Sequence, residues 1–360
     1  MRNLALSRRA KLPGISAAGF CFLVAVAAPA QPTLAKFDVP GAGPGPAQGT
    51  TPSSINAAGA IAGYYKDSTG LAHGFVRAPA GTITTFDATG GGAGNGQGTF
   101  AESINAAGAV AGWYADGSAV THAFVRDAGG IVTAFDAPGA GTDPDAGQGT
   151  KAYGMNRAGT IAGFYCDARN VYHGFVRSAD GGITTFDAPG AGAGINLGTL
   201  AWSINTAGAI TGSYRTADAV SHGFVRAADG AVVSFDAAGA GTAGGQGTNP
   251  VSINAAGAIT GNYINASGAT HGFLRSPNGT TASFDAPGAT ATLPNSINAA
   301  GLVAGYYTTA DEGFVRGAQL VTFHVGGKFG TWATSVADSG AVAGYYIDDS
   351  DVPHGFLLTP

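Results

Sequence analysis

Residues 54–87 read "SINAAGAIAGYYKDSTGLAHGFVRAPAGTITTFD", four short apolar or β-branched runs separated by turn residues. Each run has the length and composition of a strand. The first turn is Asn-x-x-Gly, from Asn56 to Gly59, in which Asn starts the turn and Gly can take a positive φ. A short Gly-containing loop, "APAG", joins the third run to the fourth. Four such strands in succession make an antiparallel meander, the blade of a β-propeller.

The same stretch recurs along the chain. "SIN" appears at Ser54, Ser103, Ser203, Ser252 and Ser296, with weaker copies at Gly154 ("GMN") and Ser335 ("SVA"). "HGF" or a variant begins at His73, His122, His173, His222, His271, Glu312 and His354, with periods of 49, 51, 49, 49, 41 and 42 residues. Repeats of about 40–50 residues indicate propeller blades or similar arrays. The last copy stops after its third strand, whereas "LAKFDVPG" (34–41) reads as a fourth strand without a unit. The expectation is therefore an all-β, seven-bladed β-propeller with four antiparallel strands per blade, closed by the N-terminal strand completing the last blade. Blades are expected at about 48–88, 97–137, 148–188, 197–237, 246–286, 291–325 and 330–360 plus 34–39, forming one domain over 31–360. An open β-solenoid is the alternative architecture, and it gives no reason for the two ends to complement each other.

A second regularity concerns His and Asp. They stand fourteen residues apart in five units: His73 and Asp87, His122 and Asp136, His173 and Asp187, His222 and Asp236, His271 and Asp285. An even separation in a hairpin places them opposite one another on one face. The sixth unit carries Glu312 and His324, the same chemistry with its members exchanged, and His354 is expected to meet Asp38. Ser, His and an acid in every unit suggest a nucleophilic triad. Seven copies of one constellation cannot all be an active site, so these pairs read as ties between strands, and breaking a buried one would cost about 3–5 kcal/mol by stranding a charge. The repeated tyrosines (Tyr65, Tyr114, Tyr165, Tyr214, Tyr263, Tyr307, Tyr346) read as packing residues. The repeated arginines (Arg77, Arg126, Arg177, Arg226, Arg275, Arg316) read as side chains lying over a neighbouring blade.

The chain opens with Arg2, Arg8, Arg9 and Lys11, then an apolar run ending in Ala28-Pro29-Ala30, which reads as a signal peptide over residues 1–30. "SRRAKL" leaves the twin-arginine and general export routes both open. No later stretch is long and apolar enough for a transmembrane segment in the mature chain. Cleavage would leave thirteen basic against twenty-two acidic residues, a net charge of −9, which argues against nucleic acid as a partner. Charged residues are only 11% of the chain and Gly reaches 61 of 360, which suits short strands and tight turns. Cys166 would be the sole cysteine after cleavage, so no intramolecular disulfide forms.

"HGFVR" and "HAFVR", following "SINAAGAIAGYY", resemble the HAF family of probable extracellular repeats over essentially all of residues 35–360. The resemblance implies a secreted bacterial protein of unassigned activity. Glu312 and Ser335-Val336-Ala337 depart from its pattern.

If repeated residues build the scaffold, departures from the repeat mark a site. The connection from the fourth strand to the next unit spans 16, 16, 18, 16, 16, 11 and 11 residues, so two adjacent short loops should leave a notch. There lie Lys328, Phe329 and Trp332, with Tyr345, Asp348, Asp349 and Asp351 nearby. Aromatic faces and acids suit a saccharide or a peptide. Asp143 and Asp145 supply oxygen atoms at a spacing Ca²⁺ accepts, without the full calcium-loop pattern, so Ca²⁺ is a possible ligand and no cofactor is otherwise expected. The His residues lack zinc-ligand spacing, and the Gly-rich stretches have no following helix to cradle phosphate.

The sequence points to a secreted binding or scaffold protein without catalysis, in the periplasm, on the cell surface or outside the cell, whose partner is a polysaccharide or a surface protein. An extracellular polysaccharide lyase or hydrolase, and a passive matrix protein, are the alternatives.

Overall fold

The computed structural model describes residues 32–144 and 147–360. The expected signal peptide and Asp145 lie outside the described residues. Among the described residues there are 28 strands and no helix, so none is long and apolar enough to cross a membrane.

The first full unit consists of strands Gly49–Ile55, Ile61–Lys66, Ala72–Arg77 and Ile83–Phe86. Each pairs antiparallel with the next, Thr50 opposite Tyr65, Tyr65 opposite His73 and Gly74 opposite Phe86. Five further units repeat this meander, ending at Phe323. Strands Thr331–Val336, Val342–Ile347 and Pro353–Thr359 form the last, and the strand Thr33–Phe37 pairs with Pro353–Thr359 as its fourth member.

The units are not separate sheets. Twenty-four strands form one continuous sheet, and the last unit with Thr33–Phe37 forms a second sheet of four. The continuity comes from single parallel bridges such as Ala72 to Gly98, where the start of one unit's third strand touches the start of the next unit's first. Gly98 permits this contact, because its φ is +95° and a Cβ there would overlap the Ala72 carbonyl oxygen.

Packing repeats with the strands. Phe75, Phe124, Phe175, Phe224, Phe273, Phe314 and Phe356 are completely buried. Each meets the fourth-strand Phe of the preceding unit edge to face, as Phe124 meets Phe86 at 5.9 Å. The same fourth-strand ring carries an arginine of the following unit: Arg126 lies 5.0 Å over Phe86 and Arg316 lies 4.5 Å over Phe284. The arginines therefore join units through cation–π contacts.

Polar side chains supply the remaining ties. Asn56 Oδ1 accepts from the amides of Ala58 and Ala60, fixing its turn, while its Nδ2 donates to the Asn105 carbonyl of the next unit at 2.9 Å. This relay runs from Asn105 to Asn156, Asn205, Asn254, Asn298 and finally Ala337. Ser54 Oγ accepts from the Ile104 amide, as Ser103 does from Met155. The serine that could have been a nucleophile is a staple between units.

The first and last units also touch. The Ile55 amide donates to Ser335 Oγ at 3.2 Å, Thr334 Oγ1 donates to the Pro52 carbonyl at 3.0 Å, and Arg77 lies 5.0 Å over Phe37.

Candidate functional site

In the first strand of every unit the pairing skips a residue. Pro52 pairs with Gly63 and Ser54 with Ala62, leaving Ser53 unpaired. Equivalent skips leave out Glu102, Tyr153, Trp202, Val251, Asn295 and Thr334. These are β-bulges, which bend a strand and redirect its side chain. The residue before each bulge is Pro or Ala and the residue after it Ser or Gly, whereas the bulged residue differs in all seven.

The first strands of neighbouring units lie side by side, so the bulges converge. Ser53, Glu102, Val251, Asn295 and Thr334 line one cavity of about 400 Å³ with Tyr64, Tyr306, Trp332 and Tyr345. Its tyrosines come from second-strand positions where other units carry Trp113, Phe164, Ser213 and Asn262. Trp332 stacks on Tyr345 with ring centroids 5.3 Å apart, and Tyr64 meets Phe100 at 5.0 Å. A second hollow of about 450 Å³ shares Thr51, Tyr64 and Tyr345 and reaches out to Ala47, Asp351 and Pro353. The aromatic cavity therefore adjoins the face that carries the long connections.

Glu102 is the cavity's one carboxyl group. Trp113 Nε1 donates to its Oε1 at 2.9 Å. Burial pushes the Glu102 carboxyl above the ordinary carboxylate range, opposed by the Trp113 hydrogen bond and the charge of Lys151. Lys151 lies 4.4 Å over the Trp113 ring, and burial pushes its ammonium below the ordinary lysine value against the pull of Glu102. Burial likewise raises Tyr64, Tyr306 and Tyr345, so their hydroxyls stay protonated and able to donate. The result is a concave surface of aromatic faces with a few neutral polar groups, a combination that binds sugar rings and their hydroxyls.

The structure divides the residues expected around the short-loop notch. Trp332 and Tyr345 face the aromatic cavity. Asp351 lies at the outer hollow with Tyr345. Lys328, Asp348 and Asp349 line a separate shallow depression. Phe329 is 37% exposed with the Lys328 ammonium 5.2 Å from its ring. Asp348 accepts from the Ser350 and Val352 amides and lies 3.3 Å from His354 Nε2, and these contacts hold its carboxyl below the ordinary range. It therefore organises its own turn. Asp143 has its amide bound to Gln148 Oε1 at 2.9 Å. Among the described residues no group of three or more His, Cys, Asp or Glu is arranged to hold a metal ion.

Six His–acid pairs form, with Nδ1 to carboxylate distances of 2.9–3.0 Å: His73 to Asp87, His122 to Asp136, His173 to Asp187, His222 to Asp236, His271 to Asp285 and His354 to Asp38. They are not deeply buried, since Asp87 is 60% exposed and Asp285 is 47% exposed. The expected cost of breaking one falls accordingly to about 0–1 kcal/mol. Each imidazole also stacks on the repeated tyrosine, as His73 on Tyr65 at 4.9 Å. A second carboxylate, from Asp67, Asp116 or Asp167, approaches Nε2 at 3.5–3.6 Å in the first three units.

The exchanged pair is a correction. Glu312 accepts from the Tyr307 hydroxyl at 2.7 Å, and no hydrogen bond or ion pair joins it to His324. The turn before Glu312 has positive φ at Thr309 and Asp311, and the strand begins at Glu312 itself. A carboxylate there cannot stack on Tyr307 as an imidazole does, so it takes the tyrosine's proton donor instead.

Lys151, Tyr64, and Glu102 with the other bulge residues escaped the sequence reading. A signal was present: all three tryptophans, Trp113, Trp202 and Trp332, fall at inner-strand positions where the units disagree.

No family model matches the chain, and no curated protein matches it. Among solved structures it is similar to a streptogramin B lyase, at 15% identity over 91% of this chain and 98% of that one, with a TM-score of 0.57. It is also similar to the β-propeller domain of the Trilobed protease from Pyrococcus furiosus, at 8% identity over 86% and 95% of the two chains, with a TM-score of 0.50. At these identities the likeness establishes architecture alone, and the fold of this chain is that of a β-propeller.

Proposed function

We propose that the protein is a secreted, non-catalytic binder of polysaccharide, and that the ligand enters the aromatic cavity between the bulged strands. The observation that carries this reading is the convergence of five of the seven unit-specific bulge residues, with Tyr64, Tyr306, Trp332 and Tyr345, on one concave surface. Glycoside hydrolysis uses a pair of carboxyl groups flanking the bond, whereas this cavity offers Glu102 only, which favours binding over hydrolysis. A lyase with Tyr64 and Glu102 as proton carriers is the second reading, and the raised Glu102 carboxyl is the observation in its favour.

The ring itself belongs to the proposal: seven blades, closed by the strand Thr33–Phe37. Closure is supported by the pairing of Thr33–Phe37 with Pro353–Thr359 and by the contacts of Ser335 and Thr334 with the first unit. A hollow lined by the Ile-Asn-Ala segment of every unit, or its equivalent, adds to this. The repeated "HGFVR" and "SIN" motifs support membership of the HAF family, with export as its corollary.

Binding of the protein to a panel of polysaccharides, with Trp332→Ala alongside, tests the function. The expected result is at least one ligand whose affinity falls about tenfold or more in Trp332→Ala while the fold is retained. A panel with no binding, or binding indifferent to Trp332, would overturn it. Release of unsaturated or reducing ends from a bound polymer would establish the enzymatic reading.

A further inference from the structure

Thirteen basic residues lie beyond residue 30. Six are the arginines held over phenylalanine rings between units. Of the others, Lys66, Lys151 and Arg215 gather around the bulged strands, on the face that carries the long connections. Lys66 and Arg215 occupy the same place in their units, directly after the repeated tyrosine, where the others carry Ala115, Cys166, Ile264, Thr308 and Ile347. Lys66 lies at the hollow beside the first and last units, whereas Lys151 and Arg215 line one pocket together, two cations in a chain whose net charge is negative.

Lys151 and Arg215 share a pocket of about 300 Å³ between the third and fourth units. This volume is at the lower end of small-ligand sites, about 300–1,000 Å³. Its walls include Phe164, Trp202 and Tyr172, and among the described residues no carboxylate lines it. Arg215 is exposed, and its guanidinium makes no hydrogen bond or ion pair with another described residue. Trp202, a bulge residue, stands 5.2 Å from Phe164 at an interplanar angle of 77°, so the two rings present a face and an edge to the same space. A guanidinium fork and an ammonium beside aromatic faces match a sugar ring that bears a carboxylate.

We propose that this pocket receives the carboxylate of an acidic saccharide, a uronic acid unit, with Arg215 and Lys151 on the charge and Trp202 against the ring. The inference rests on the carbohydrate reading of the neighbouring cavity and adds the class of sugar. The acid carboxylates of the His–Asp pairs lie elsewhere in each unit, on the hairpin of the third and fourth strands. Glu102 pulls on Lys151 from outside the pocket's walls, which leaves Arg215 as the cation that no carboxylate engages.

The test compares oligogalacturonate and oligomannuronate with their methyl esters, which keep the ring and remove the charge. Titration calorimetry on the full chain is expected to show tighter binding of at least one acid than of its ester. Arg215→Gln should weaken that acid by about tenfold and leave the ester unchanged, the loss of one charged hydrogen bond. Salt should weaken the acid alone. Arg157→Gln, a cation at the opposite end of the strands, serves as the control that changes neither. Equal binding of acid and ester would overturn the proposal and leave the aromatic cavity standing. A preference for acid that survives Arg215→Gln would also overturn it, since the charge would then be read elsewhere. Failure of all four probes, with a neutral polymer bound in the panel, would overturn the acidic class alone; failure of every saccharide would overturn both readings.

Discussion

The amide of Ile55 donates to Ser335 Oγ at 3.2 Å, a hydrogen bond between residues 280 positions apart. Its counterparts join each of the other units to the next, from Ser54 to Ile104 or Ser252 to Ile297, except the third, where Gly154 replaces the serine. Ser335→Ala should therefore destabilise the protein by about 0.5–1.5 kcal/mol, the net worth of one such bond. Removing Thr33–Phe37 should cost far more, because it strips the fourth strand from the last unit and leaves Arg77 without the Phe37 ring. Urea titration checks both, and equal midpoints for the truncated and full chains would show that the paired ends add nothing to stability.

Glu102→Gln isolates the cost of a buried acid. The folded-state pKa of Glu102 is raised by burial, so its contribution to stability is present below the unfolded value of about 4.5 and is lost as pH rises through the folded value. Gln keeps an acceptor for Trp113 and carries no charge. The variant should match the parent at acidic pH and exceed it increasingly as pH rises into the range where Glu102 ionises. Denaturation midpoints across that range check the sign, and a variant that loses ground with rising pH would contradict it.

Asp87→Asn removes one His–acid pair whose carboxylate is 60% exposed. The expected loss is below about 1 kcal/mol. Glu312→Gln should cost a similar amount or less, because the amide oxygen can still accept from Tyr307. Thermal melts of both variants give the comparison, and a loss of several kcal/mol at Asp87 would mean that the pair is shielded from solvent.

Gly98→Ala should be severe. The added Cβ meets the Ala72 carbonyl where two units are bridged, and φ is +95°. Strain of this kind costs about 1–3 kcal/mol before any displacement of the bridge. Gly117, which has open space around its Cβ position, is the control and should accept Ala with little change. Comparable melts for the two variants would place the bridge outside the folded core.

The repeat made most of the scaffold legible. Strand boundaries followed from alternating β-branched runs and Asn-x-x-Gly turns, and the even spacing of His73 and Asp87 placed them opposite each other. The Glu312–His324 pair failed because parity says which residues face each other, and nothing about which nearby hydroxyl is the better partner. The site was harder to read. A bulge changes one residue's direction without leaving a mark on the sequence around it, so Ser53 and Glu102 looked like ordinary strand residues. Loop length drew attention to Lys328 and Phe329, although Trp332, three residues further on, already belongs to an inner strand.

The bulge also has an evolutionary consequence. Its residue lies outside the ladder, since Pro52 and Ser54 pair around Ser53 and the same holds in the other units. Selection can therefore replace that one side chain in any unit while every ladder partner stays in place. Duplication or exchange of a whole unit would carry its recognition residue along with it. Such a protein can acquire a new specificity in small independent steps, each nearly silent for folding.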